Sequence, residues 1–135
     1  MRYMLDTNIC IYAIKNRPAN VLAALRAHES DGIGISSISA AELYFGTRKS
    51  GSAKNLLALQ HFLESLEIAD FDIAAAQAYG ELRHALEAGG TPIGPLDTQI
   101  AAHALSLGVC LVSNNTREFA RVPGLMLENW LDWGA

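Results

Sequence analysis

At 135 residues, half of them hydrophobic, the chain can bury one core without disulfide staples and is too apolar to be disordered. A net charge of -4 provides no broad basic face, which counts against a protein that grips nucleic acid by charge alone. No basic and apolar leader opens the sequence and no apolar run approaches the roughly 18 to 20 residues that span a bilayer, so a cytoplasmic protein of one domain, 1–135, is expected.

Arg2 to Leu5 is a short apolar run that reads as a strand, and Asp6, Thr7 and Asn8 follow it directly. An acid at the carboxyl end of a strand stands where open α/β sheets bind their ligands. Asp6 or Thr7 could equally be the N-cap of the next helix, whose apolar residues Ile9, Cys10, Tyr12 and Ala13 keep helical spacing up to Lys15. Pro18 suits the first turn of a second helix ending near His28, and 33–36 alternates into a second strand. Cys10 and Cys110 lie alone in apolar stretches without C-x-x-C spacing, as buried free thiols do.

Ser36 to Ser39 leads into a helix through Ala40, Glu42, Leu43 and Phe45 that loosens at Gly46 to Gly51. Ser39-x-x-Glu42 matches a capping box, a role that would keep Glu42 out of any cleft. Leucines at steps of three or four make 53–67 a packing helix, and an apolar segment at 68–71 precedes Asp72, the N-cap of a helix over 73–88.

Two prolines and a glycine stiffen the loop Thr91 to Leu96, which delivers Asp97 to the first turn of a helix running to Gly108. The helix dipole alone would favour a carboxylate there, but the stiff loop argues for placement. Val109 to Val112 reads as a strand buried on both faces, followed by the polar cluster Ser113, Asn114, Asn115, Thr116 and then Glu118. A last short strand is expected near 125–127, and Trp130 and Trp133 are core or interface aromatics.

Strands near 2–5, 33–36, 109–112 and 125–127, separated by helices, predict an α/β domain: a central parallel twisted sheet of four to five strands flanked by helices. In that topology Asp6, Glu42, Asp97 and the Ser113 to Glu118 cluster all fall at one edge. Two carboxylates about 5 Å apart repel by roughly 3 kcal/mol at an effective dielectric near 20, so three in one cleft call for a cation. Oxygen donors select Mg²⁺ or Mn²⁺, and the scattered histidines lack metal-pair spacing. With those three acids assigned to a cation, eleven of the fourteen remain against ten basic residues, and the charge no longer excludes a nucleic-acid substrate. Hard cations on carboxylates serve phosphoryl chemistry, which makes phosphodiester hydrolysis the leading reaction class.

Asp6-Thr7-Asn8 after the first strand, Glu42, the run Pro92 to Asp97 and the run Val112 to Phe119 together resemble, in order and along nearly the whole chain, the PIN-domain ribonucleases, specifically the VapC toxins of type II toxin-antitoxin pairs. The resemblance implies a magnesium-dependent endoribonuclease, usually a homodimer, inhibited by a VapB-type antitoxin whose tail covers the acidic cleft. By position Asp6, Glu42 and Asp97 would be the catalytic acids, with Asp6 and Asp97 on the metal and Thr7 and Ser113 as polar neighbours. Many relatives carry a fourth acid where this sequence has Asn115, a substitution that bears on a second metal and that Glu118 would partly offset. Relatives close to this motif pattern act on the anticodon loop of initiator tRNA. Arg48, Lys49 and Arg117 are basic positions near the rim, each also readable as solvated surface, and the sequence singles out no RNA-binding residue.

Two rivals stand beside this reading. Phosphotransferases with an aspartate nucleophile after the first strand need a second nearby acid and a late lysine, where this chain has Asn8 and a last lysine at Lys54. A non-catalytic regulatory dimer that binds an antitoxin or RNA would use the acids only as caps and would gain no stability from Mg²⁺.

Overall fold

The computed structural model describes residues 1–134. Strand β1 (Tyr3–Leu5) runs into α1 (Thr7–Ile14) and α2 (Ala19–His28); β2 (Ile33–Ser36) runs into α3 (Ser37–Ser50) and α4 (Ala53–Glu64). The edge strand β3 (Glu67–Ala69) leads to α5 (Ile73–Ala88) and α6 (Pro95–Leu107), then β4 (Cys110–Val112), α7 (Thr116–Phe119) and β5 (Leu127–Glu128). All pairings are parallel in the order β3-β2-β1-β4-β5, so the expected α/β architecture is the one observed. Among the described residues no helix is long and apolar enough to cross a membrane.

Register fixes the site. Leu5 lies opposite Ile35 on one side and Val112 on the other, so the chain leaves all three central strands at one level. The next residues are Asp6, Ser36 (the last of β2) and Ser113, each almost fully buried. Successive strand residues face opposite sides of the sheet. Leu5, Ile35 and Val112 join one core with Ile9, Cys10, Val21, Leu43, Leu59 and Trp130, built on α1 to α4. Met4 and Leu111 join the other with Leu82, Leu86, Ile100, Ala101 and Phe119, built on α5 to α7.

Several expectations are corrected in detail. The helix expected over 53–67 stops at Glu64, because Glu67 to Ala69 pairs with Gly34 to Ser36 as a fifth strand. The last strand is Leu127–Glu128 rather than 125–127, set by pairing with Leu111 and Val112. Helix α3 runs through Gly46 to Ser50 and ends at Gly51, whose φ of 65° satisfies a left-handed C-cap. The Ser39-x-x-Glu42 capping box does not form: Ser36 is the cap, its hydroxyl accepting the Ile38 N–H at 3.1 Å, and Ser39 lies inside the helix. The Ser39 hydroxyl is buried and has no partner among the described residues. Pro18 sits at the cap of α2, one place before the helix. Asp72 caps α5 through the Ala75 N–H, as expected.

Gly34 is buried in β2 where a Cβ would collide with the Glu67 carbonyl and the Met1 side chain. Replacing it forces β3 outward. Gly34→Ala should therefore cost about 1–3 kcal/mol, read as a lower urea midpoint at unchanged slope, and an unshifted midpoint would show that β3 is not held against β2.

Candidate active site

Asp6 is both cap and site residue. One carboxylate oxygen accepts the Ile9 N–H at 2.9 Å, which fixes the side chain at the first turn of α1. Burial pushes its pKa up; hydrogen bonds from Ser113 and the Ile9 N–H pull it back, and the Glu42 charge pushes it further up. The Ser113 hydroxyl oxygen accepts the Asn115 N–H at 2.9 Å, which leaves its O–H free to donate to Asp6.

Glu42 reaches the same edge from α3, where the Thr7 hydroxyl donates to its carboxylate at 2.7 Å. That bond ties α3 to the first residue of α1. Asp97 arrives from α6, whose N-cap Gly94 and N1 residue Pro95 follow the stiff loop seen in the sequence. The Asn115 side-chain amide donates to Asp97 at 3.2 Å and to Glu118 at 3.3 Å, spanning two acids with one nitrogen. Asp97 is raised to about 6, first by burial, then by a hydrogen bond shared with Glu118 and by the charges of Glu118, Asp6 and Glu42. Four carboxylates thus act on one another at the carboxyl edge of the sheet.

All seven residues singled out from sequence, Asp6, Thr7, Glu42, Asp97, Ser113, Asn115 and Glu118, converge there. Arg48, Lys49 and Arg117 are exposed and form no ion pair among the described residues. Missing from the sequence reading were the Asn114 amide, which donates to the Tyr12 hydroxyl at 3.3 Å, and Ser36 with its partner His103. Bonds between residues 102 and 67 positions apart leave no local signal.

Among the described residues no group of three or more acids, cysteines and histidines is drawn tightly enough to grip a metal on its own. The donors nonetheless suit a hard ion. Mg²⁺ keeps several waters and takes only one or two carboxylates directly, which suits acids that are not drawn into one tight group. Zinc would favour thiolates, and both cysteines are free and buried; the Cys10 thiol is held well up by burial first and by the Asp6 charge second.

Fold and site define an α/β protein with an acidic cleft at the carboxyl edge of a parallel sheet. Residues 3–125 match the PIN domain. The chain is 44% identical over 131 residues to the tRNA(fMet)-specific endonuclease VapC of Shigella flexneri, covering 96% of this chain and 98% of that protein. It is 47% identical over 132 residues to ribonuclease VapC2 of Rickettsia felis, covering 96% and 98%. The crystal structure of VapBC2 from Rickettsia felis bound to a DNA fragment from their promoter superposes with a TM-score of 0.88 at 46% identity, over 96% of this chain and 99% of that one. The chain belongs to the PIN-domain family, in its VapC branch.

The raised acids set a stability cost with a definite sign. A carboxyl whose folded pKa exceeds its ordinary value favours the fold below that value and loses this contribution as pH rises through the folded pKa. For Asp97 the window runs from about 4 to about 6. Metal-free protein should lose about 1–2 kcal/mol across it, after allowance for solvent screening, and Asp97→Asn should flatten that slope and melt higher than wild type at pH 7. Melting curves from pH 4 to 7 in EDTA decide this; an unchanged slope in the variant would remove Asp97 as its source.

Proposed function

We propose that this chain is the ribonuclease toxin of a toxin-antitoxin pair, a Mg²⁺-dependent endoribonuclease that hydrolyses RNA phosphodiester bonds in the cytoplasm, with initiator tRNA as its substrate. The observation that carries the reading is the gathering of Asp6, Glu42, Asp97 and Glu118 at one edge, where the Glu42 charge raises Asp6 and the charges of Glu118, Asp6 and Glu42 raise Asp97. Its support beyond the site is the near-full-length likeness to a tRNA(fMet)-specific endonuclease. By the likeness to the VapBC2 complex the partner is a VapB-type antitoxin, and the working form is a homodimer, as the family resemblance implies.

Asp6 and Asp97 are the acids that would hold the ion. When bound, Mg²⁺, or Mn²⁺ in its place, would lower the pKa of a water and offset charge on the leaving oxygen. Glu42, with one oxygen occupied by the Thr7 hydroxyl, keeps its other oxygen to orient the attacking water and take its proton. Ser113 and the Ile9 N–H hold Asp6 in one rotamer, so the site is aligned before substrate arrives. Asn115 does the same for Asp97 and Glu118 and adds no charge of its own.

The test is cleavage of total bacterial RNA by the purified protein with Mg²⁺, with EDTA, and with Asp6→Asn and Asp97→Asn as controls. Discrete products should appear with Mg²⁺ and vanish with EDTA, and each variant should keep its fold while losing at least a hundredfold in rate. Full activity in either variant would remove that acid from the site. Folded, inhibitor-free wild type that cuts nothing, and whose melting point Mg²⁺ does not raise, would leave the regulatory dimer as the reading.

A further inference from the structure

We infer that His103, through Ser36, is a positioning residue that sets the separation of Glu42 from Asp97, an inference that rests on the nuclease reading of the acidic cleft.

His103 lies on α6 with only 1% of its surface exposed, and its Nδ1 meets the Ser36 hydroxyl at 2.8 Å. Ser36 is itself fully buried and caps α3 by accepting the Ile38 N–H. With the Ile38 N–H on one lone pair, the serine O–H is free to donate to Nδ1, the arrangement in which the ring proton resides on Nε2. Burial lowers the imidazole pKa against the pull of the Asp72 charge, the Asp70 backbone and the Asp70 charge, which favours the neutral ring this bond needs. Phe71 packs edge-on against the imidazole at 5.4 Å.

A buried imidazole costs more than a leucine of similar size unless its bonds are used. Here the bond joins the two helices that bring the acids. Asp97 stands six residues before His103 on α6, and Glu42 six residues after Ser36 on α3. The bond therefore fixes α3 against α6 about 9 Å along each helix from the carboxylates, at 1.5 Å of rise per residue. The hydrophobic contacts of α3 and α6 fall largely in different cores, and such contacts are non-directional. A directed bond between the helices supplies the register that apolar packing leaves loose.

Three variants test the assignment: His103→Leu, which fills the space without a bond; His103→Asn, which can place an amide oxygen near the Nδ1 position; and Ser36→Ala. Each is read by melting temperature, by kcat and KM for RNA, and by the ¹H–¹⁵N amide spectrum, which needs neither metal nor substrate. His103→Leu should lower kcat at least tenfold at unchanged KM and shift a run of signals from Ile38 to Glu42; Ser36→Ala, which also removes the α3 cap, should lower kcat to the same degree at unchanged KM. His103→Asn should restore both kcat and the run. Unchanged kcat and an unshifted run in either bond-less variant overturn the assignment, as does failure of His103→Asn to restore them while melting like wild type. Should His103→Leu not fold, Ser36→Ala and His103→Asn decide by the same readings. If wild type cuts no RNA, the proposed function falls, and the amide run alone then decides whether His103 positions α3.

Discussion

Parallel register at the centre of the sheet governs everything built on it. Because Leu5 is level with both Ile35 and Val112, the polypeptide turns out of three strands at the same height. Asp6, Ser36 and Ser113 become neighbours although they are far apart in the chain. A slip of one residue in either pairing would turn the alternate side chains of that strand to the other face. It would exchange Leu5 with Met4 between the two cores and pull Asp6 away from the edge. The cores therefore defend the site, since the site cannot move without unpacking one of them.

Gathering acids at that edge opposes folding. Burial and mutual repulsion raise Asp6 and Asp97. The fold tolerates the arrangement by giving each acid neutral donors: the Ile9 N–H and Ser113 for Asp6, Thr7 for Glu42, and the Asn115 amide for Asp97 and Glu118. Each donor blunts a charge without cancelling it. Such a cleft retains the negative potential that a hard cation requires, and a stability optimised for the empty state would have erased it.

The elements legible in the sequence were those whose signals are local. The Asp6-Thr7-Asn8 junction, the stiff loop before Asp97 and the polar cluster after Val112 each advertise a strand end or helix start within a few residues. Strand β3 was not legible, because three residues with an exposed glutamate and an exposed isoleucine carry no alternation to read. The Ser39 capping box was a false local signal: a serine stood at the right spacing from Glu42, but the β2 register had already made Ser36 the cap. Asp6 shows the opposite lesson, since the capping and site readings offered as alternatives describe the same carboxylate. His103 looked like any helical histidine because its partner lies 67 residues away.

The two cores give the cleft a mechanical character. Glu42 rides on a helix packed mainly into one core, while Asp97 and Glu118 ride on α6 and α7, packed into the other. The sheet between them is a partition, and the acidic edge is the seam where the two layers meet. A sliding of one layer over the other would change the distance between carboxylates, and Coulomb energy varies inversely with that distance. Shear is thus the displacement to which the charge of the site would respond most, and the bond between His103 and Ser36 stands across it.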